Sequence, residues 1–153
     1  MIKVLFVCHG NICRSPMAEF MFRKYLADRG VDGFYIDSAA TSSEELGNPV
    51  YPPAKRILKG LGIDCSRKLA RRITLDDYDN FDYIIGMDER NVHNMLNLFG
   101  GDKDGKIRKL LDFCDGAGRD VSDPWYTGDF DGVKNDIEIG IDAFYKYLSK
   151  ANG

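Results

Sequence analysis

Arg14 follows Cys8 by six positions in the run Cys8-His9-Gly10-Asn11-Ile12-Cys13-Arg14-Ser15. A cysteine attacks as the thiolate, and positive fields from cations or a helix N terminus favour that form. An arginine presents a planar fork of donors that holds two phosphoryl oxygens and stabilises charge as it develops there. The two residue types together suit nucleophilic attack on a phosphate ester. Ser15 adds a hydroxyl able to donate to the thiolate sulfur. At this composition Cys-x5-Arg-Ser/Thr arises by chance in about 0.02 of sequences, so the run is informative before any structural context is added.

Expelling an alcohol or phenol from phosphate also takes a proton donor, and a base is needed later for the water that releases the phosphoryl group. His9 lies in the loop, but its side chain faces outward if the loop N–H groups face inward. His93 falls in a helix. Many aspartates could serve, and position alone selects none. Asp123-Pro124 is the best local candidate, because Pro124 stiffens its loop. A zinc site on Cys8, His9 and Cys13 lacks a second ligand cluster, since Cys65, His93 and Cys114 are scattered.

The elements that must position these groups are legible in the hydrophobic pattern. Ile2 to Val7 is an apolar run of the kind found in buried parallel strands. Ser15-Pro16 then reads as an N-cap followed by a first helical residue, with Ala18, Met21, Phe22, Tyr25 and Leu26 at helical spacing and Gly30 as the stop. The strand-to-helix junction gathers unpaired N–H groups and the positive end of a helix dipole, which binds a phosphate-sized anion. Gly10 and Asn11 tolerate the left-handed conformations that turn such groups inward.

Further strands are expected at Phe34–Ser38, Asp82–Met87 and Ile107–Phe113. Helices are expected beyond Pro53 to about Leu61, after a capping box at Thr74-Leu75-Asp76-Asp77, over Asp88–Phe99 and over Gly132–Lys150. Ala39 to Pro53 and Cys114 to Asp131 read as long loops. Alternating strands and helices imply right-handed βαβ units: one α/β domain over residues 1–153, three layers, with a four-stranded parallel twisted sheet of flavodoxin-like or Rossmann-like type covered by helices on both faces. Ligands in such folds sit at the carboxyl ends of the strands, where Cys8 to Arg14 falls.

The chain of 153 residues fits one domain, and its net charge of −3 argues against a nucleic-acid binder. Basic residues crowd the middle (Lys55, Arg56, Lys59, Arg67, Lys68, Arg71, Arg72), an arrangement that could steer an anion. No signal core or membrane span is visible, and the spread cysteines form no disulfide framework, which together point to a reducing cytoplasm.

Val7-Cys8-His9-Gly10-Asn11-Ile12-Cys13-Arg14-Ser15-Pro16-Met17-Ala18-Glu19 resembles the signature of the low-molecular-weight protein-tyrosine phosphatases. The likeness continues through Asp37-Ser38-Ala39-Ala40-Thr41, Gly47-Asn48-Pro49, Ala70-Arg71, Phe81-Asp82-Tyr83, Met87-Asp88 and Asp123-Pro124-Trp125-Tyr126. The resemblance implies hydrolysis of phosphotyrosine in a protein or peptide through a cysteinyl-phosphate, with no metal or organic cofactor. Inorganic phosphate or other oxyanions are the implied inhibitors, and a monomer that engages neither nucleic acid nor membrane is expected. By the same resemblance Cys8 is the nucleophile, Arg14 and the loop from His9 to Ser15 bind phosphate, and Asp123 is the general acid and base. Trp125 and Tyr126 line the cleft, Asn11, Ser15 and Ser38 support the loop, and Asp88 orients Arg14. Cys13 can pair reversibly with Cys8 and protect it from irreversible oxidation.

Two positions depart from the family pattern. Glu44 occupies a slot often aromatic, which makes one cleft wall acidic and leaves Leu46 to supply apolar contact. Lys68 stands where many members carry a histidine. Two other enzymes share the loop. A protein-arginine phosphatase tends to carry Thr where Ile12 stands, although Glu44 would suit a guanidinium. A thiol-dependent arsenate reductase needs a downstream cysteine pair, and no cysteine lies between Cys65 and Cys114. A non-catalytic anion-binding module would not require the combination of Cys8, Arg14 and Asp123.

Overall fold

The computed structural model of the chain describes residues 1–116 and 118–152. Four strands, β1 (Ile2–Cys8), β2 (Phe34–Ala40), β3 (Tyr83–Gly86) and β4 (Ile107–Lys109), form one parallel sheet in the order β2-β1-β3-β4. β1 is central and buried from Val4 to Cys8, as its apolar run requires. Its side chains alternate between the two faces. Val4, Phe6 and Cys8 join one core with α1 (Arg14–Asp28) and α6 (Phe130–Asn152), while Leu5 and Val7 join another with α3 (Leu75–Asn80) and α4 (Glu89–Phe99). α2 (Pro52–Gly60) packs with the first group through Ala54 and Leu58. The three-layer α/β architecture is the one the sequence pattern implies.

The differences lie at element ends. Helix α1 starts at Arg14 with Cys13 at its N-cap, not at Pro16. Ser15 does not cap it, because the Ser15 hydroxyl is engaged by the preceding loop. The fourth strand stops at Lys109, and Leu110–Phe113 turns into a 3-10 helix. That turn sits under α6, where a Cβ at Gly140 would lie 2.6 Å from Leu110 Cγ. The stretch Cys114–Asp131 also contains the short helix α5 (Pro124–Thr127), opened by the favourable pair of Asp123 at the N-cap and Pro124 at the first helical position. The segment before α3 is as expected: the Thr74 N–H donates to Asp77 Oδ2 at 2.7 Å.

Candidate active site

The loop between β1 and α1 is held by its carbonyl groups. The oxygen of Cys8 accepts from the Thr41 N–H, that of His9 from Ser42 N and Oγ, and that of Ile12 from the Tyr51 N–H. With the carbonyls tied outward, the N–H groups of Gly10, Ile12, Cys13 and Arg14 meet no acceptor among the described residues. Asn11 makes the turn possible at φ 60°, the one non-glycine residue with positive φ among those described. Gly10 is not left-handed, contrary to expectation. Its missing side chain matters for another reason: a Cβ there would lie 3.3 Å from Glu45 Cγ, so Gly10 lets that side chain lie against the loop.

Donors converge on the Cys8 sulfur. The N–H groups of Asn11 and Ser15 reach Sγ at 3.3 and 3.4 Å, and Ser15 Oγ lies at 3.0 Å. The direction of that last contact follows from the neighbours. The Asn11 amide nitrogen donates to Ser15 Oγ at 2.8 Å and to Ser38 Oγ at 2.9 Å, while Asn11 Oδ1 accepts from the Arg71 N–H. Each hydroxyl therefore accepts from Asn11 and keeps its proton for something else: Ser15 for the sulfur, Ser38 for Glu19 Oε1 at 2.6 Å. Asn11 thus fixes the loop from the inside and lies outside the cleft wall.

Arg14 is buried with its guanidinium spread across the site. One nitrogen donates to Asp88 Oδ2 at 2.7 Å and to the Val121 carbonyl at 3.0 Å, and the other lies 3.5 Å from Asp123 Oδ2. Burial opposes its charge, but the fields of Cys8, Asp88 and Asp123 outweigh that and hold it above the ordinary arginine range. Asp88 serves two ends at once: Oδ2 orients Arg14, and Oδ1 caps α4 through the Asn91 N–H at 2.7 Å. Asp123 caps α5 through the Trp125 N–H at 3.0 Å and points Oδ2 at Arg14. Cys13 is the second thiol of the loop. Burial, reinforced by the negative fields of Cys8 and Asp123, pushes its thiol up to about 12, so it stays protonated at neutral pH.

A cleft of about 300 Å³ opens above Cys8 and is lined by His9, Gly10, Ile12, Cys13, Arg14, Glu44, Glu45, Arg90, Asp123, Trp125 and Tyr126. Trp125 and Tyr126 stand 58% and 82% exposed at the mouth, with the Trp125 ring backed by Tyr51. His9 turns outward, its Nε2 2.9 Å from Glu44 Oε2. The acidic wall expected from Glu44 is present. Leu46, by contrast, is exposed and does not line the cleft; Glu45 does, its carboxylate accepting from Asn48 Nδ2. Ser15 and Ser38 are buried supports beneath the loop, not cleft walls. Arg90 and Glu45 were not expected at the site. Both follow carboxyl ends of strands, the one signal that would have found them. Among the described residues no cluster of three or more His, Cys, Asp or Glu could hold a metal ion, and no helix is long and apolar enough to cross a membrane.

Lys68 braces the segment beneath the loop. Its Nζ donates to the Ser38 carbonyl at 2.9 Å and lies 3.4 Å from Asp37 and 3.5 Å from Glu19. Arg71 likewise spans Asp37 and Asp77. These two members of the basic segment are thus spent on internal pairs and add little steering. Lys68→Met is expected to destabilise the fold by about 1–3 kcal/mol, because Glu19 and the Ser38 carbonyl lose a partner while Arg23 still pairs with Glu19. Urea unfolding measures this, and Lys68→Arg should recover part of the loss.

The family model for low molecular weight phosphotyrosine protein phosphatase matches residues 3–152. The chain is 41% identical over 152 residues to the low molecular weight protein-tyrosine-phosphatase YfkJ of Bacillus subtilis, covering 98% of this chain and 97% of that one. The crystal structure of YfkJ superposes with a TM-score of 0.95 at 40% identity, covering 100% of this chain and 98% of that one. DARP, a Drosophila arginine phosphatase, superposes at 0.85 with 28% identity, covering 96% and 98%. A match along nearly the whole length, with the cysteine and arginine of the loop in place, leaves one conclusion: the chain belongs to the low molecular weight phosphotyrosine protein phosphatase family of enzymes.

Proposed function

We propose that this enzyme hydrolyses phosphotyrosine in proteins or peptides through a cysteinyl-phosphate. The observation that carries the reading is the cradle at Cys8: three donors on Sγ, with the free N–H groups of Gly10, Ile12, Cys13 and Arg14 around it. The phosphate dianion enters that cradle and takes up the Arg14 guanidinium. Cys8 Sγ attacks phosphorus in line. The P–O bond to the phenol breaks, and Asp123 gives its proton to the departing oxygen. Water then attacks phosphorus as Asp123 takes a proton from it, the S–P bond breaks, and inorganic phosphate leaves as the thiolate re-forms. The preorganised N–H groups and Arg14 stabilise the charge spread over the transferring group in both steps.

Two observations favour an aryl ester over a phosphoguanidine. Ile12 presents a branched apolar side chain to the cleft, and Trp125 and Tyr126 offer ring faces at its mouth. Glu44 and Glu45 are the features that suit a guanidinium instead. The discriminating experiment compares kcat/KM on matched phosphotyrosine and phosphoarginine peptides with chelator present. A preference of at least about tenfold for phosphotyrosine, a difference of about 1.4 kcal/mol, is expected. A preference for phosphoarginine would overturn the substrate assignment while leaving the chemistry at Cys8 in place.

A further inference from the structure

Three charged residues, Asp88, Glu89 and Arg90, stand just beyond the end of β3, and two of them are committed. Asp88 holds Arg14, and Glu89 lies 2.9 Å from the buried Nζ of Lys109. Arg90 is exposed and lines the cleft, and its side chain has no ion pair, hydrogen bond or stacked ring among the described residues. The other cleft charges are all engaged: Arg14 by Asp88 and Asp123, Glu44 by His9, Glu45 by Asn48. Arg90 also sits in the first turn of α4, where the helix dipole disfavours a cation. Local stability therefore gives no reason for an arginine there.

The topology adds direction. Glu44 and Glu45 follow β2 and Arg90 follows β3, on either side of the central β1 and its loop. The cleft rim is thus acidic on one side and cationic on the other. A cleft of about 300 Å³ accepts one phosphorylated side chain and leaves the flanking residues of a peptide at that rim. There Arg90 has a free planar fork, the geometry that pairs with a carboxylate.

We infer that Arg90 is a specificity-determining residue that selects substrates with an acidic side chain on one flank of the phosphorylated tyrosine. This rests on the phosphotyrosine reading above. The test uses peptides with one phosphotyrosine and either Asp or Lys beside it, on the N-terminal or the C-terminal flank, with wild type, Arg90→Ala and Arg90→Glu. The quantity read is the ratio of kcat/KM for Asp over Lys peptides within each enzyme, which cancels any change in active fraction or in the chemical step. On one flank the wild-type ratio should be on the order of three- to tenfold, the size of an exposed charge pair gained and its repulsive counterpart removed. It should fall towards one in Arg90→Ala, invert in Arg90→Glu, and shrink as salt is raised. A wild-type ratio near one on both flanks, or a ratio unchanged in Arg90→Glu, overturns the role of Arg90. If phosphotyrosine peptides are not turned over at all and phosphoarginine peptides are, the substrate reading fails first and this inference with it.

Discussion

Cys8→Ser is expected to reduce turnover of an aryl phosphate by on the order of 10⁴-fold or more, yet to leave phosphate binding intact. Sulfur and oxygen respond differently to the same surroundings. The donors from Asn11 N, Ser15 N and Ser15 Oγ converge on the sulfur, and the attacking form of a cysteine is the thiolate, which such donors favour. A serine hydroxyl is far less acidic, so the same donors leave it neutral and weakly nucleophilic. Nothing else in the cleft replaces it: the Cys13 thiol stays protonated and lies in the loop wall. The anion cradle is a different matter, because it is made of backbone N–H groups and Arg14, none of which the substitution touches. Removing a negative sulfur from beneath a dianion also removes a repulsion. Inorganic phosphate should therefore raise the melting temperature of Cys8→Ser at least as much as that of wild type, with about 2.7 kcal/mol of stabilisation at a hundredfold excess over Kd. Steady-state rates and thermal unfolding with and without phosphate check both halves. Undiminished turnover would remove Cys8 from the chemistry, and lost turnover without phosphate stabilisation would point to a collapsed loop.

The parts of this site that the sequence made legible are the local ones. Cys8, Arg14 and Asp88 sit at strand-to-helix junctions, where neighbours in the chain are neighbours in space, and the strand pattern announces the junction. Asp88 could be read both as a cap and as the partner of Arg14, and its two oxygens divide those tasks. What was not legible depends on contacts between distant segments. Ser15 looks like an N-cap by composition, but a cap accepts through its oxygen, and that oxygen is turned to the loop, where it accepts from the Asn11 amide beside the sulfur seven residues back. Leu46 was expected at the cleft because it is apolar. The turn after β2 instead brings Glu45 onto Gly10, where a Cβ would lie 3.3 Å from Glu45 Cγ and press that side chain outward. Glu19 is a charged residue within α1, the type that ordinarily faces solvent, but it is buried against Ser38, Arg23 and Lys68. Helical spacing offers only Arg23, one turn on; Ser38 and Lys68 come from other parts of the chain, and no periodicity within the helix reveals them. Arg90 is the converse case: among the described residues its side chain meets no partner, which only the folded arrangement can show.

Asp123→Asn should lower kcat for phosphotyrosine by about 10²–10⁴-fold, and Asp123→Ala should be no worse by more than a small factor. The comparison separates the observed cap from the proton transfer proposed for this residue. Oδ1 caps α5 through the Trp125 N–H, and Asn caps a helix about as well as Asp does. The Asp123→Asn variant would therefore keep α5, and with it the placement of Trp125 and Tyr126. What Asn cannot do is give a proton to the leaving oxygen or take one from water. Oδ2 faces Arg14 at 3.5 Å, and an incoming phosphate competes for that guanidinium, freeing the carboxyl for the leaving oxygen. The size of the loss should track the leaving group. A nitrophenolate departs readily without a proton, so its rate should fall much less in Asp123→Asn than that of tyrosine phosphate. Rates across a series of phenols of graded acidity measure this as a steeper dependence in the variant than in wild type. Equal losses across the series would assign Asp123 to holding Arg14 and the loop, and a full recovery by Asn over Ala would assign it to the cap alone.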